Sequence, residues 1–379
     1  MLITPEEYQI ILKLESNPLI SYSDLADELG VSWPTAKKRL DSLKSQGIIR
    51  TPVSIYNAKA LGLQRITVIW ALKSLKELSF LEKLCDLHPY THYRVRGYGD
   101  GYVLLAQFNV PSEALPLMEE LIERTVEKKY ADKANLLIST GYRVETFPDL
   151  KYYDLMQNKW EFDWFNWIKG IDDQPAILPK QDDFKASDLR KWKPIDFTIL
   201  RELTKNPEVK QAELMRSFNL SRTNAHLLYN SVFTELISSL RLRFNRILFK
   251  LVNTRLYWIP KPNEKKTNQL FNLITKKPPP FHLGIDILQE RGLLLWGGAL
   301  PNFHEHQLAL IIWNLFQDFF SFTIDTSVDM SMIYWFYPDN FDFNTHYWKI
   351  DREYVVETPL NELRRRQKEI RSTLEQYLE

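Results

Sequence analysis

At 379 residues and 44% hydrophobic content, the chain is long enough for more than one buried core, and domains of roughly 100–200 residues would divide it into two to four. Basic and acidic residues nearly cancel, 49 against 48, so the overall charge excludes a uniformly cationic coat and any contact with a polyanion must come from local clusters. Cys85 is the only cysteine, which excludes an intrachain disulfide and any cysteine-rich zinc motif; within Leu84-Cys-Asp-Leu87 it reads as a small buried residue. The opening Met1-Leu-Ile-Thr-Pro-Glu-Glu7 has no basic region followed by an apolar run, and no uncharged stretch reaches the roughly 18 residues of a spanning helix, so neither secretion nor membrane insertion is expected.

The first element is a helix from Thr4 to Ser16, opened by the capping-box pattern Thr4-Pro-Glu-Glu7 and carrying Ile10, Ile11 and Leu14 on one face. Asn17-Pro18 ends it. A short second helix, Ser23 to Leu29 with Ser23 as the expected cap, turns at Gly30 into a third from Ser32 to Gly47. In that third helix Ala36, Leu40 and Leu43 form the apolar stripe, while Trp33, Thr35, Lys37, Lys38, Arg39 and Lys44 lie on other faces. Between Ser32 and Arg50 five basic residues (Lys37, Lys38, Arg39, Lys44, Arg50) stand against Asp41 alone, a local excess that points to a polyanion. Two helices joined at a glycine, the second one basic, make a helix-turn-helix whose second helix reads the major groove. Ile48 to Tyr56 alternates like a strand and is expected to form the wing.

From Arg65 the pattern becomes a small α/β unit. Ile66–Leu72, Thr91–Arg96, Tyr102–Phe108 and Ala134–Thr146 read as strands, with helices over Leu75–Leu87 and Ser112–Lys129, giving the βαββαβ order of a ferredoxin-like domain.

This order, together with Leu25-Ala26, Leu29-Gly-Val-Ser32, Thr35, Arg39-Leu40, Leu43, Gly47-Ile-Ile49, Asn57, Leu61-Gly-Leu63 and the Gly97 to Asp100 hairpin, resembles the leucine-responsive regulatory protein/AsnC family over about the first 145 residues. The resemblance implies transcription control through the winged helix and dimerisation through the ferredoxin-like domain. It also implies an amino acid or other small effector in many members, here at Gly97, Gly99 and Asp100.

The chain then repeats itself. Ser221 lies 189 residues after Ser32, and the same offset without a gap sets Tyr8 against Phe197, Asn17-Pro18 against Asn206-Pro207, Ala36 against Ala225 and Ile48 against Ile237. The fold class expected is therefore α+β, a tandem repeat of a winged helix-turn-helix followed by a βαββαβ ferredoxin-like domain. Its segments are a first winged helix (1–62), a first ferredoxin-like domain (63–150), an aromatic then charged connector (151–193), a degenerate winged helix (194–245), a second ferredoxin-like domain (246–340) and a C-terminal extension with a charged helix (341–379). In the second recognition helix His226, Leu227 and Leu228 replace Lys37, Lys38 and Arg39, so base reading should be poor. Arg222, Asn224, Arg241 and Arg243 remain as candidate DNA contacts, since point charges suffice for phosphate. Arg246-Ile-Leu-Phe-Lys-Leu251 is read as a strand.

The aromatic connector, with Tyr152, Tyr153, Trp160, Phe162, Trp164, Phe165 and Trp167, is expected to pack on a sensor sheet. The seven histidines show no metal spacing; His304 and His306 read as surface residues at a helix start, and no metal, cofactor or catalytic set is assigned. The leading expectation is a cytoplasmic, nucleoid-associated transcription regulator and not an enzyme. Its DNA-binding residues would be Ser32, Trp33, Thr35, Lys37, Lys38, Arg39, Lys44 and Arg50, with Arg222, Asn224, Arg241 and Arg243 from the second copy, and its partners double-stranded DNA and a second copy in a homodimer. The alternative, from a different class, is an enzyme similar to the siroheme decarboxylases, which use paired winged-helix/ferredoxin-like units for tetrapyrrole chemistry; His92, Arg94 and Arg96 in one strand are compatible with it.

Overall fold

The computed structural model describes residues 3–179, 188–326 and 331–366. The first unit runs α1 (Pro5–Ser16), α2 (Tyr22–Leu29), α3 (Trp33–Ser45), β1 (Ile49–Tyr56), β2 (Leu63–Leu72), α4 (Leu75–Leu87), β3 (Thr91–Tyr98), β4 (Tyr102–Pro111), α5 (Leu115–Glu127) and β5 (Lys133–Glu145). An arm follows with β6 (Tyr153–Asp154), β7 (Lys159–Trp160) and α6 (Trp164–Ile168). The second unit repeats the order as α7 (Pro194–Lys205), α8 (Gln211–Phe218), α9 (Arg222–Leu236), β8 (Ile237–Phe244), β9 (Asn253–Ile259), α10 (Glu264–Lys276), β10 (His282–Leu288), β11 (Leu293–Leu300), α11 (Asn302–Phe316) and β12 (Phe320–Ile324). It ends in a second arm with β13 (Ser331–Ile333), β14 (Phe341–Asp342), β15 (Tyr347–Trp348) and α12 (Thr358–Arg365).

Local chemistry sets the helix ends. Thr4 and Glu7 exchange the two bonds of a capping box at α1. α2 is capped by Ser21, two residues earlier than Ser23, because Ser21 Oγ is the atom that accepts the Asp24 N–H. Ser32 caps α3, and Gly47 (φ +67°) ends that helix in the left-handed region. Arg246–Phe249 is a short 3-10 turn and not a strand, since Asn245 caps it and Lys250 closes it at φ +60°.

The tandem α+β architecture holds, with one change at its centre: neither winged helix folds its strand back as a free wing. β1 pairs antiparallel with β8, from Ile49 opposite Phe244 to Tyr56 opposite Ile237, so the two wing strands become one ribbon between the halves. Among the described residues the large sheet runs β12-β9-β11-β10-β5-β2-β4-β3-β13, and β12 also pairs with β3. Each unit contributes the 4-1-3-2 order of a ferredoxin-like sheet. The seams β5–β10 and β3–β12 close those two sheets into a ring, which removes their free edges. A pseudo-twofold axis runs along the ring and through the β1–β8 ribbon.

Gly97 and Gly99 belong to this closure. A Cβ at Gly97 would lie 3.0 Å from the Thr323 carbonyl oxygen, and one at Gly99 would lie 2.6 Å from that of Ser321, so glycine lets β12 approach β3.

The cores cross between the halves. Helices α1–α3 (Ile10, Ile11, Leu25, Leu43) share a core with the first arm and the second sensor unit (Trp160, Trp164, Leu273, Phe281). Helices α7–α9 (Phe197, Leu200, Leu203, Val232) share theirs with the first sensor unit and the second arm (Phe108, Trp348, Leu360). The arms are themselves copies: Phe147-Pro-Asp149 recurs as Tyr337-Pro-Asp339. Trp160 Nε1 donates to the Phe249 carbonyl at 2.7 Å, as Trp348 Nε1 donates to that of Leu61 at 2.9 Å. The aromatic connector thus packs into the other unit's core through Trp164, stacked on Phe281 at 5.6 Å, in a cluster that includes Leu283, Ile285 and Leu295 of the second sensor sheet. Cys85 is fully buried as expected, and burial pushes its thiol up. The charged C-terminal helix is seen as α12; residues 367–379 of that expectation lie outside the described residues.

Candidate functional site at the pseudo-dyad

Strand alternation places Ile69, Val95, Leu105, Leu137, Leu256 and Leu294 inside the ring. On the same faces, toward the end crossed by the β1–β8 ribbon, the apolar lining gives way to charge: Arg65 on β2, Asn109 on β4, Arg143 and Glu145 on β5, and His282 and Asp286 on β10. Tyr56 and Arg241 join them from the ribbon. Glu145 is ion-paired with both Arg143 and Arg241. Arg65 Nε donates to Asn109 Oδ1 at 3.1 Å, and Asn109 Nδ2 donates to Tyr56 Oη at 2.6 Å. Ser139 Oγ donates to Asp286 Oδ1 at 2.5 Å. Arg246 lies close enough to influence His282 and Tyr93. Below the polar ring Tyr93 meets Trp296 edge to face at 6.2 Å, an aromatic floor.

His92 and His282 occupy matching places, as Pro89-Tyr90-Thr91-His92 against Pro280-Phe281-His282. The additional residue is absorbed by a bulge in β3 between Thr91 and Tyr93, which aims His92 at the cluster. His92 packs edge to face on Tyr56 at 5.7 Å. Each imidazole has one buried nitrogen without a hydrogen-bond partner, Nδ1 of His92 and Nε2 of His282, and Arg241 Nε is likewise unpartnered.

The electrostatics follow from enclosure. Burial, then the nearby Arg65 and Arg143 guanidiniums, hold His92 well below the usual imidazole range; burial takes His282 down to about 3, against the pull of Glu145. Both rings are neutral at pH 7. Although burial opposes its ionisation, Arg143 and Arg241 keep the Glu145 carboxyl well below the ordinary range, whereas burial raises Asp286. Burial and Arg143 lower the Arg65 guanidinium to about 10, where it stays charged. With Arg65, Arg143 and Arg241 gathered around Glu145 and Asp286, the cluster keeps an excess of positive charge even when both carboxyls are ionised. Such a recess attracts an anion with several carboxylates.

The axis passes beside Pro52 in one copy and Arg241 in the other, as the Val53–Arg241 pairing and the 189-residue repeat require. Arg65 stands where the second copy has Thr254. A cluster on a twofold axis is shared by both halves and exists once per chain, so its two sides are free to diverge.

The residues expected at DNA are dispersed. Trp33 is 48% exposed, with Lys37 over its ring at 5.4 Å, and Lys38 and Arg50 are exposed. Ser32 Oγ is occupied by Thr35, as cap and by a 2.8 Å bond to Oγ1, and Arg39 is half-buried. Lys44 is tied at 2.8 Å to Glu208 of the second copy. Arg222, Asn224 and Arg243 are exposed, but Arg241 turns into the recess, because β8 is a strand of the inter-copy ribbon and not a wing edge. Of the expected residues His92, Arg94 and Arg96, only His92 reaches the recess: Arg94 and Arg96 point to the other face and pair with Glu82 of α4 at 3.1 and 2.8 Å. Gly97 and Gly99 line the seam, and Asp100 is exposed at the hairpin tip. His304 is buried and not a surface residue, since its Nδ1 accepts from Trp164 Nε1 at 3.1 Å; His306 is exposed. No group of metal-ligating side chains occurs among the described residues. No described helix is long and apolar enough to cross a membrane.

A family model for a winged helix-turn-helix DNA-binding domain matches residues 7–50. No curated protein matches the chain. Among solved structures, the siroheme decarboxylase NirDL in co-complex with an iron-uroporphyrin III analogue aligns over 85% of this chain and 91% of its own, at 14% identity and a TM-score of 0.50. Another structure of NirDL aligns over 97% of this chain and 99% of its own, at 16% identity and a TM-score of 0.49. E. coli AsnC aligns over 37% of this chain and 93% of its own, at 24% identity and a TM-score of 0.31. The whole-chain likeness to NirDL overturns the expectation that the chain is not an enzyme, because the complete tandem fold, and not only its first half, is one that an enzyme uses. The chain carries a DNA-binding type of winged helix at residues 7–50 within that whole-chain fold.

Proposed function

We propose that the chain is a decarboxylase of a tetrapyrrole bearing several carboxylates, held in the recess on the pseudo-dyad. The observation that carries this reading is the combination of surplus arginine charge with two neutral histidines, each offering an unpartnered nitrogen, above the Tyr93–Trp296 floor. A flat macrocycle suits the aromatic floor, and its carboxylates suit guanidiniums that act as planar double donors. The likeness in fold to a structure holding an iron-uroporphyrin III analogue supports the same class of ligand.

The chemistry is redox-neutral. The C–C bond to one carboxylate breaks, CO2 leaves, the electron pair stays on carbon and spreads into the macrocycle, and one proton adds to that carbon. An imidazolium of His92 or His282 would supply that proton, whereas both histidines are neutral at pH 7 in the structure. Burial is the main cause that holds His92 and His282 neutral and the guanidiniums add to it; bound carboxylates would offset the guanidinium part, so substrate entry raises the histidines' affinity for a proton. Arg65 and Arg241 would anchor carboxylates that are retained, leaving the reacting one beside a histidine. Anaerobic incubation with siroheme, read by CO2 release, tests this: the wild type should release CO2, and His92→Ala and His282→Ala should lose that activity while still binding the macrocycle. Absence of CO2 with bound siroheme would contradict the reaction.

A second reading rests on α3. Its match to a DNA-binding winged helix and the exposure of Lys37, Lys38 and Trp33 favour contact with duplex DNA. Lys44 is already neutralised by Glu208, so fewer charges than the sequence offers are available.

A further inference from the structure

On the outer face of the second sheet, beneath α11 and away from the arginine recess, lies a cleft of about 340 Å³ lined chiefly by Arg255, Tyr257, Glu305, His306, Phe319 and Ser321. The duplication supplies a comparison for it. At the 189-residue offset Ile66 and Val68 stand where the second copy has Arg255 and Tyr257, and aligning Pro111 with Pro301 sets Leu115 against Glu305. In the first copy Ile66 and Val68 are fully buried and Leu115 packs on the same core. The fold is therefore satisfied by apolar residues at all three positions, and the polar set is particular to the second copy.

The cleft is also incompletely satisfied. Tyr257 is 1% exposed, yet its Oη has no hydrogen-bond partner. Arg255 Nε donates to Glu305 at 2.7 Å and Nη1 reaches Ser321 Oγ at 3.4 Å, leaving Nη2 without an acceptor among the described residues. Glu305 also accepts from Asn253 at 2.8 Å, so the guanidinium is held by a fixed carboxylate. A buried hydroxyl with no acceptor is costly unless a ligand supplies one.

We propose that this cleft binds a small carboxylate with a short apolar chain, its oxygens accepting from Tyr257 Oη and Arg255 Nη2 and its chain lying on Ala309 and Phe319. Because Glu305 offsets the arginine charge, binding is weak and depends on the tyrosine. Calorimetric titration of the full chain with butyrate tests it, with acetate as the shorter comparison. One saturable site per chain is expected, tighter for butyrate. Tyr257→Phe should weaken it roughly tenfold or more, the loss of one hydrogen bond to a charged group. The triple variant Arg255→Ile, Tyr257→Val, Glu305→Leu, which restores the first copy's residues, should stay folded by circular dichroism and lose the site. Arg65→Met should bind butyrate like the wild type. Absence of saturable heat in the wild type, equal binding by Tyr257→Phe, or loss of binding in Arg65→Met instead would each overturn the proposal.

Discussion

Gly298 offers a way to move one histidine without altering its chemistry. It sits on β11 directly opposite His282, and an added Cβ would fall 2.4 Å from His282 Nδ1 and 3.0 Å from Cγ. Van der Waals contact needs about 3.5 Å, so Gly298→Ala must displace the imidazole by roughly 1 Å. A displacement of that size in a reacting group costs on the order of 100-fold in rate. The arginines are untouched, so siroheme binding, read by its absorbance change, should stay within about threefold of wild type while kcat for CO2 release falls about 100-fold. The double variant Gly298→Ala, His282→Ala should be no slower than His282→Ala alone, since the clash disappears with the ring. Wild-type kcat in Gly298→Ala, or additive losses in the double variant, would refute a role for the position of His282.

Arg241→Met should weaken siroheme binding by about 10- to 100-fold, the cost of removing one charged hydrogen-bonding partner, and absorbance titration reads it directly. Lys37→Ala with Lys38→Ala should weaken duplex DNA binding and lower the slope of log affinity against log salt by about two in a fluorescence anisotropy titration, whereas His226→Ala should change neither. His88 is buried, accepts from the Tyr90 N–H at 3.3 Å and has burial lowering its pKa to about 3. The unfolded chain therefore binds a proton that the native state refuses between about pH 6.5 and 3, and stability falls with pH across that window by up to about 1.4 kcal/mol per unit. Urea unfolding at pH 5 and 7 should show a smaller difference in His88→Gln than in the wild type. Glu15 behaves oppositely: burial raises its carboxyl to about 8, so the native state keeps a proton that the unfolded chain loses above about 4.5. Stability should fall as pH rises toward 8, and Glu15→Gln should remove that part of the fall in the same urea assay.

Much of this fold was legible in the sequence because duplication and period reinforce each other. The capping box at Thr4, the glycine turns at Gly30 and Gly47, and the ungapped offset of 189 residues fixed the winged helices and the two α/β units. What escaped depends on contacts between the halves. Nothing in the alternation of Ile48 to Tyr56 distinguishes a wing from a ribbon strand, since both expose one edge and bury one face. The repeat itself could have been followed further, as Phe147-Pro-Asp149 and Tyr337-Pro-Asp339 head equivalent arms that the 151–193 and 341–379 segments did not reveal. The site was hidden for the same reason. Arg65, the Arg143–Glu145 pair and Asp286 lie on three separate strands, and only closure of the ring brings them together. A charged residue inside a β-branched run was the available signal, because a strand covered by helices on one face has no solvent there for it. The basic face of α3 drew attention by its density, while the recess collects its charged groups from three strands and a ribbon.

The central claim is that one ligand with several carboxylates occupies one recess made jointly by both copies. Anaerobic titration of the purified chain with an iron-uroporphyrin, followed in the Soret band, tests it most directly. The account predicts a saturable shift with one macrocycle per chain, strongly weakened in Arg65→Met and unchanged in Lys37→Ala with Lys38→Ala. No shift, two macrocycles per chain, or a shift indifferent to Arg65 would contradict it.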